Sequence, residues 1–267
     1  MLFASFVLLL FAIISIWIRK TFWIWGGALI LSLTLAYLSS HLLPIAFIPL
    51  ALMLAATLTI QANPSGLSRW IFLMVLFLLS GSFFYSLFPG LPSPLHLLGG
   101  ELIYGKILAG TLLLGILVPT LTTLQDLKTF IKQDLPLSLL GAFFLISMSW
   151  YIRGSSPMQT TPLLGIPWLL IQLWGSILPE EALLRGVIQK EFFSFIGKGA
   201  KGHVLAILLA SLLTPLFYLA WVADYRLLGL TATMGFFCGL IYQITGRVEG
   251  SASCRFFATI FYLVSNF

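Results

Sequence analysis

Apolar residues dominate this chain in long blocks separated by short polar stretches, with no sustained alternation of the kind a half-buried strand needs. The blocks fall at 2–18, 22–38, 43–60, 70–88, 107–124, 137–152, 163–178, 204–222, 227–244 and 251–265, and the seventh continues through a charged stretch to about 195. A membrane-spanning helix takes about 20 apolar residues and a barrel strand about 9–11, so blocks of this length read as helices. Helices also satisfy their own backbone in lipid, whereas strands must close into a barrel. The expected fold class is all-α, a polytopic transmembrane helical bundle of about eight to ten membrane helices, some short enough to be re-entrant. Arg19 and Lys20 follow the first block instead of preceding it, so that block is expected to be a retained helix and not a secretory signal.

Composition agrees with the pattern. Hydrophobic residues make up 60% of the chain and charged residues 8%, with a mean hydropathy of +1.06. That excludes an ordinary soluble domain and leaves one polytopic body. The net charge of +6 comes from bases spread singly between apolar runs. They read as topology signals, and no nucleic-acid partner is expected. Alternating the blocks puts Arg19, Lys20, Arg69, Lys128, Lys132, Lys190, Lys198, Lys201 and Arg247 on one side. Lys106, Arg153 and Arg226 fall on the other, and Arg185 and Arg255 stay inside apolar runs. The richer side is expected to be cytoplasmic. Among the connections, 62–68 and 88–94 read as turns, 125–136 as an interfacial segment, 154–162 as an external loop and 197–202 as a flexible basic link. Cys238 and Cys254 form neither a disulfide framework nor a metal pair. His41, His96 and His203 have no second ligand at metal spacing, so no metal or other cofactor is expected. His203, at a helix end, is expected to be solvated or paired with the dipole.

The polar chemistry gathers late. Residues 177–186 read Ile-Leu-Pro-Glu-Glu-Ala-Leu-Leu-Arg-Gly, placing Glu180, Glu181 and Arg185 in an otherwise apolar segment. Each charge at the bilayer centre costs about 2.5–3.5 kcal/mol on insertion scales, so this cluster requires a cause. Glu181 and Arg185 are four apart and share a helix face, while Glu180 lies about 100° round and lacks a local partner. Pro179 marks a kink or a first turn, where the helix dipole favours carboxylates. An ion pair that only fixes packing explains one glutamate and the arginine; the second glutamate points to a functional site. Residues up to 152 carry almost no intramembrane polar chemistry and read as support for a cavity. They also lack the paired broken helices expected of a small-solute transporter, which makes that reading a distant third.

From about 163 onward the chain resembles the CPBP intramembrane proteases, the Abi-related family that includes the type II CAAX prenyl endopeptidases. Glu180, Glu181 and Arg185 match the family's Glu-Glu-x-x-x-Arg motif in full. Its Phe-x-x-x-His motif falls on 217–221 and puts Trp221 where histidine is expected. A glycine-spaced stretch, Gly229, Gly235 and Gly239, leads to Thr245-Gly246 as in the family. The last motif, His-x-x-x-Asn/Asp, falls on Arg255 and Thr259. The resemblance implies a core at 163–267 carried by supporting helices at 1–162. It makes Glu180 the base that activates water, with Glu181 and Arg185 holding its geometry. Arg255 and Thr259 then stand as an altered oxyanion-binding pair, or Arg255 simply neutralises Glu180 or Glu249. Trp221 donates an N–H but takes up no proton, and reads best as packing or interface anchoring. The implied activity is an intramembrane endopeptidase acting near the cytoplasmic face. The alternative is a pseudoprotease that binds a membrane partner without cleaving it. Membrane lipid and a membrane-associated or lipidated peptide are the implied partners, and a bacterial inner (plasma) membrane the implied location.

Overall fold

The computed structural model describes residues 2–18, 21–62, 66–91, 95–97, 100–121, 123–153, 165–197, 199–217 and 225–264. Trp221, Lys198, Arg19, Lys20 and the 154–162 connection singled out above lie outside the described residues. In chain order the helices begin with α1 Leu2–Ile18, α2 Phe22–Leu38, α3 Phe47–Gln61 and α4 Leu67–Phe84. A short hairpin follows, β1 Leu95–Leu97 antiparallel to β2 Gly100–Leu102, with His96 opposite Glu101. Then come α5 Tyr104–Leu112, α6 Leu124–Thr129, α7 Leu135–Arg153, α8 Gly165–Gln172 and α9 Leu178–Glu181. The chain finishes with α10 Lys190–Ile196, α11 Ala200–Leu213, α12 Tyr225–Thr245 and α13 Val248–Val264. Among the described residues five helices are long and apolar enough to cross a membrane: Pro44–Gln61, Leu67–Phe84, Leu124–Tyr151, Ala200–Phe217 and Leu228–Thr245. Their outward side chains are themselves apolar, as at Leu52, Leu78, Phe143 and Leu212, which suits a surface facing lipid. The protein is an integral membrane helical bundle.

Several helices are not wound uniformly. The N–H of Val118 reaches the carbonyl of Leu113, that of Leu135 reaches Phe130, and that of Leu178 reaches Leu173. Each bond spans five residues instead of four, giving wider turns at Leu113–Leu117, Phe130–Asp134, Leu173–Ile177 and Ala182–Gln189. The second corrects the sequence reading. Residues 125–136 are read from sequence as an interfacial connection, because Lys128 and Lys132 lie between apolar residues. Instead the helix runs on from Leu124 through Tyr151. A wide turn just before Pro136 moves the carbonyl that its ring would strike, so the proline does not end the helix.

The chain divides into two compact units, 1–122 with 165–183, and 123–164 with 184–267. In the first unit a buried polar tie joins three helices. The Ser32 hydroxyl of α2 donates to the Ser5 carbonyl of α1 at 2.6 Å and meets the Tyr104 hydroxyl of α5 at 2.8 Å. Phe6 meets the Tyr104 ring edge-on at 5.2 Å. Inside an apolar bundle each of these hydroxyls would be costly unpaired, so the tie fixes which faces meet.

In the second unit α7 lies against α12 and α13. A side chain at Gly141 would come within 2.9 Å of both Cys254 and Ile241. Around that contact the core is Ala142, Leu145, Cys238, Ile241, Cys254 and Ala258. The Ser138 hydroxyl reaches the Gly250 carbonyl at 2.7 Å, and Arg247 pairs with Asp126 at 3.0 Å and Asp134 at 3.6 Å. These contacts bring the start of the α6–α7 run to the α12–α13 turn. Gly235 faces Ser211 and Thr214 while Gly239 faces Ile207, so α11 runs antiparallel to α12. Lys128, Lys132, Lys201 and Arg247 therefore gather at one end of this unit. The helix ends carrying Arg153 and Arg226 form the other.

Candidate functional site

The acidic pair follows Pro179 in a helical run continuous from α8, where the wide turn Leu173–Ile177 makes room for the proline ring. Glu180 is 4% exposed and Glu181 1%. The sequence offered Glu180 no partner; the fold supplies one from 74 residues away. The ammonium of Lys106, in the first turn of α5, forms an ion pair with Glu180 Oε1 and donates to Ser176 Oγ at 2.8 Å. Gly110 makes this approach possible. A Cβ there would lie 2.6 Å from Cβ of Pro179, so α5 and α9 touch almost backbone to ring. Lys106 is one turn from Gly110 on the same face of α5, and Glu180 follows Pro179 directly.

Aromatic groups close over the pair. The Lys106 ammonium lies 5.7 Å from the centre of the Phe84 ring, within cation–π range. Burial, and then the carboxylate of Glu180, push the Tyr85 phenol up to about 12. Tyr85 caps the C-terminal end of α4, so Glu180 lies near that end. The helix is 18 residues long, which separates this level from the Leu67 end by about 27 Å.

Two expectations are corrected here. Lys106 reads from sequence as a loop base, and residues up to 152 as carrying almost no intramembrane polar chemistry. Lys106 is buried to 12% side-chain exposure, and it brings the first half of the chain onto the motif glutamate. The signal was present in the sequence: a base opening an apolar run, with a glycine one turn later. What the sequence did not hold was which acid it met.

Arg185 belongs to the second unit and is completely buried. One guanidinium nitrogen donates to Thr214 Oγ1 at 3.1 Å and another to Gln189 Oε1 at 3.5 Å. Gln189 in turn donates to the Gly239 carbonyl at 2.8 Å. A side chain at Gly239 would press on Gln189 at 3.0 Å, and one at Gly235 would press on Thr214 at 2.5 Å. Two of the three spaced glycines thus let α12 approach this network, while Gly229 has nothing within 4 Å. Gln189 escaped the sequence reading, although its place four residues after Arg185 inside an apolar run was a visible clue. Arg185 through these partners steadies Thr214–Phe217, the turn after α11.

At the last motif Arg255 is 3% exposed and Thr259 half-buried, with the Thr259 hydroxyl donating to the Arg255 carbonyl at 2.9 Å. In this arrangement its proton goes to its own helix. Glu191 and Glu249 are further buried acids of this unit. His203, expected to be solvated or paired with the dipole, is half-buried near the start of α11 and stacks on Phe193 at 4.1 Å.

A family model, Type II CAAX prenyl endopeptidase Rce1-like, matches residues 162–261. That span contains Glu180, Glu181, Arg185, position 221, Arg255 and Thr259. This part of the chain is similar to a family of CAAX-type membrane endopeptidases. No curated protein and no solved structure matches the chain.

Proposed function

We propose that this chain is a CAAX-protease-like membrane protein that holds a membrane-associated or lipidated peptide without hydrolysing it. The family match supports the substrate class. The observation that carries the loss of hydrolysis is at the last motif. Arg255 is always protonated, and the Thr259 hydroxyl is spent on a main-chain carbonyl. Arg255 still offers N–H donors, but Thr259 gives its proton to its own helix, and Trp221, where the family's first histidine is expected, takes up no proton. A positioned acid–base partner is worth about 10²–10⁴-fold in rate, and an oxyanion donor about 10²–10³-fold. In this reading 163–267 is the peptide-holding core, 1–162 its support, and a bacterial inner membrane its location. The intact set of Glu180, Glu181 and Arg185 favours the second reading, an active endopeptidase.

Purified protein in lipid nanodiscs is to be mixed with a panel of prenylated and transmembrane peptides. We expect saturable binding and no cleavage above that of Glu180→Gln. Cleavage by wild type that Glu180→Gln abolishes would overturn the non-cleaving reading.

A further inference from the structure

We propose that Lys106 is a built-in counter-ion that holds Glu180 ionised and stationary, making it the positioning residue that silences the motif carboxylate. The inference rests on the non-cleaving reading for its meaning, but its test reads the charge on Glu180 directly. Three observations converge on it. Lys106 engages both Glu180 and Ser176, so its ammonium is directed by two oxygens on adjacent turns of one helical run. The contact of Gly110 with Pro179 fixes how near α5 comes to α9 and so brings Lys106, one turn away, within reach of Glu180. The Phe84 ring then covers the ammonium and keeps bulk water from competing for it.

The consequence for chemistry is direct. A carboxylate beside a cation is a weaker base than a lone one, and a general base has to reach the water it deprotonates. Remove the cation, and a carboxyl group in an apolar bundle is held as the neutral acid. Lys106 therefore favours the carboxylate form of Glu180 and fixes where it sits.

Dicyclohexylcarbodiimide separates the two states, because it adds across the O–H of a protonated buried carboxyl and leaves an ion-paired carboxylate alone. In intact membranes, mass spectrometry of Glu180 should show little adduct in wild type and in Lys106→Arg, which keeps the cation. Lys106→Met should raise the adduct by at least about tenfold, the change in protonated fraction that one pKa unit brings. Lys106→Met with Glu180→Gln should remove it. Equal labelling of wild type and Lys106→Met overturns the proposal. So does labelling that appears in Arg255→Met and not in Lys106→Met, because the counter-ion is then Arg255. If Lys106→Met folds too poorly to label, thermal midpoints in detergent decide. The double variant should recover the midpoint that each single change loses, and a double no better than the worse single overturns the pairing. Wild-type cleavage would sink the non-cleaving reading and leave the labelling result standing; flat labelling would do the reverse.

Discussion

Arg185 shows most plainly what a single side chain does here. Its guanidinium is completely enclosed, and its partners Thr214 and Gln189 sit on other turns of the second unit. Truncating one partner of a buried charged network typically costs about 3–5 kcal/mol. Glu180→Gln, by contrast, keeps an oxygen that can accept from Lys106. Arg185→Ala should therefore lower the yield of monodisperse protein more than Glu180→Gln, and equal yields in size-exclusion chromatography would count against the network. Tyr85 supplies a pH signature. Its phenol titrates near 10 when unfolded and about 12 when folded. The folded state keeps that proton longer, so the stability this group contributes is whole below about 10 and declines toward 12. Thermal midpoints should fall over that alkaline window, and the fall should be shallower in Tyr85→Phe. At this scale the sequence announced Glu180, Glu181 and Arg185, because charge in an apolar run is expensive wherever it occurs. Lys106 and Gln189 were less legible. A base at a block edge and an amide within a block carry no cost until the partner that buries them is known.

Among the elements, glycines show which helix contacts are tight and which are open. Gly110 on α5 touches Pro179, whereas Gly229 on α12 faces open space. Gly110→Val should overpack the α5–α9 contact, costing about 1–3 kcal/mol, and pull Lys106 away from Glu180. Gly229→Ala should be neutral or raise stability by about 0.5–1 kcal/mol, since the helix loses a flexible residue without a clash. Thermal midpoints of the two variants should therefore move apart; a common shift would mean that α5 adjusts more freely than its glycine contact implies. The apolar blocks anticipated nearly every helix because their length alone excludes strands. They failed at 125–136, where two lysines between apolar residues suggested a connection and the helix runs on, and at the short strands 95–97 and 100–102, which no alternating pattern announced.

The whole molecule has to sit in a bilayer with its bases sorted. In the second unit Lys128 and Lys201 share an end, and Arg226 begins α12 at the other. Cysteines placed at 128 and 201 should react with an impermeant maleimide from one side only, and a cysteine at 226 from the opposite side. On positive-inside bias we propose that the first side is the cytoplasmic one. Labelling of 201 and 226 from the same face would break this topology.

The wide turns bear on how the chain tolerates deletions. Closing a helical bond over five residues stores one residue more than an ordinary turn requires. A deletion in a regular helix swings everything beyond it by about 100° and scrambles every contact downstream. The same deletion inside Leu113–Leu117 or Ala182–Gln189 can be absorbed when the wide turn relaxes to an ordinary one, leaving later residues on their old faces. Loss of one residue there should spare more folded protein than loss of one from the middle of α12. The segment bearing the motif thus contains slack for the loss of one residue without dismantling the helices around it.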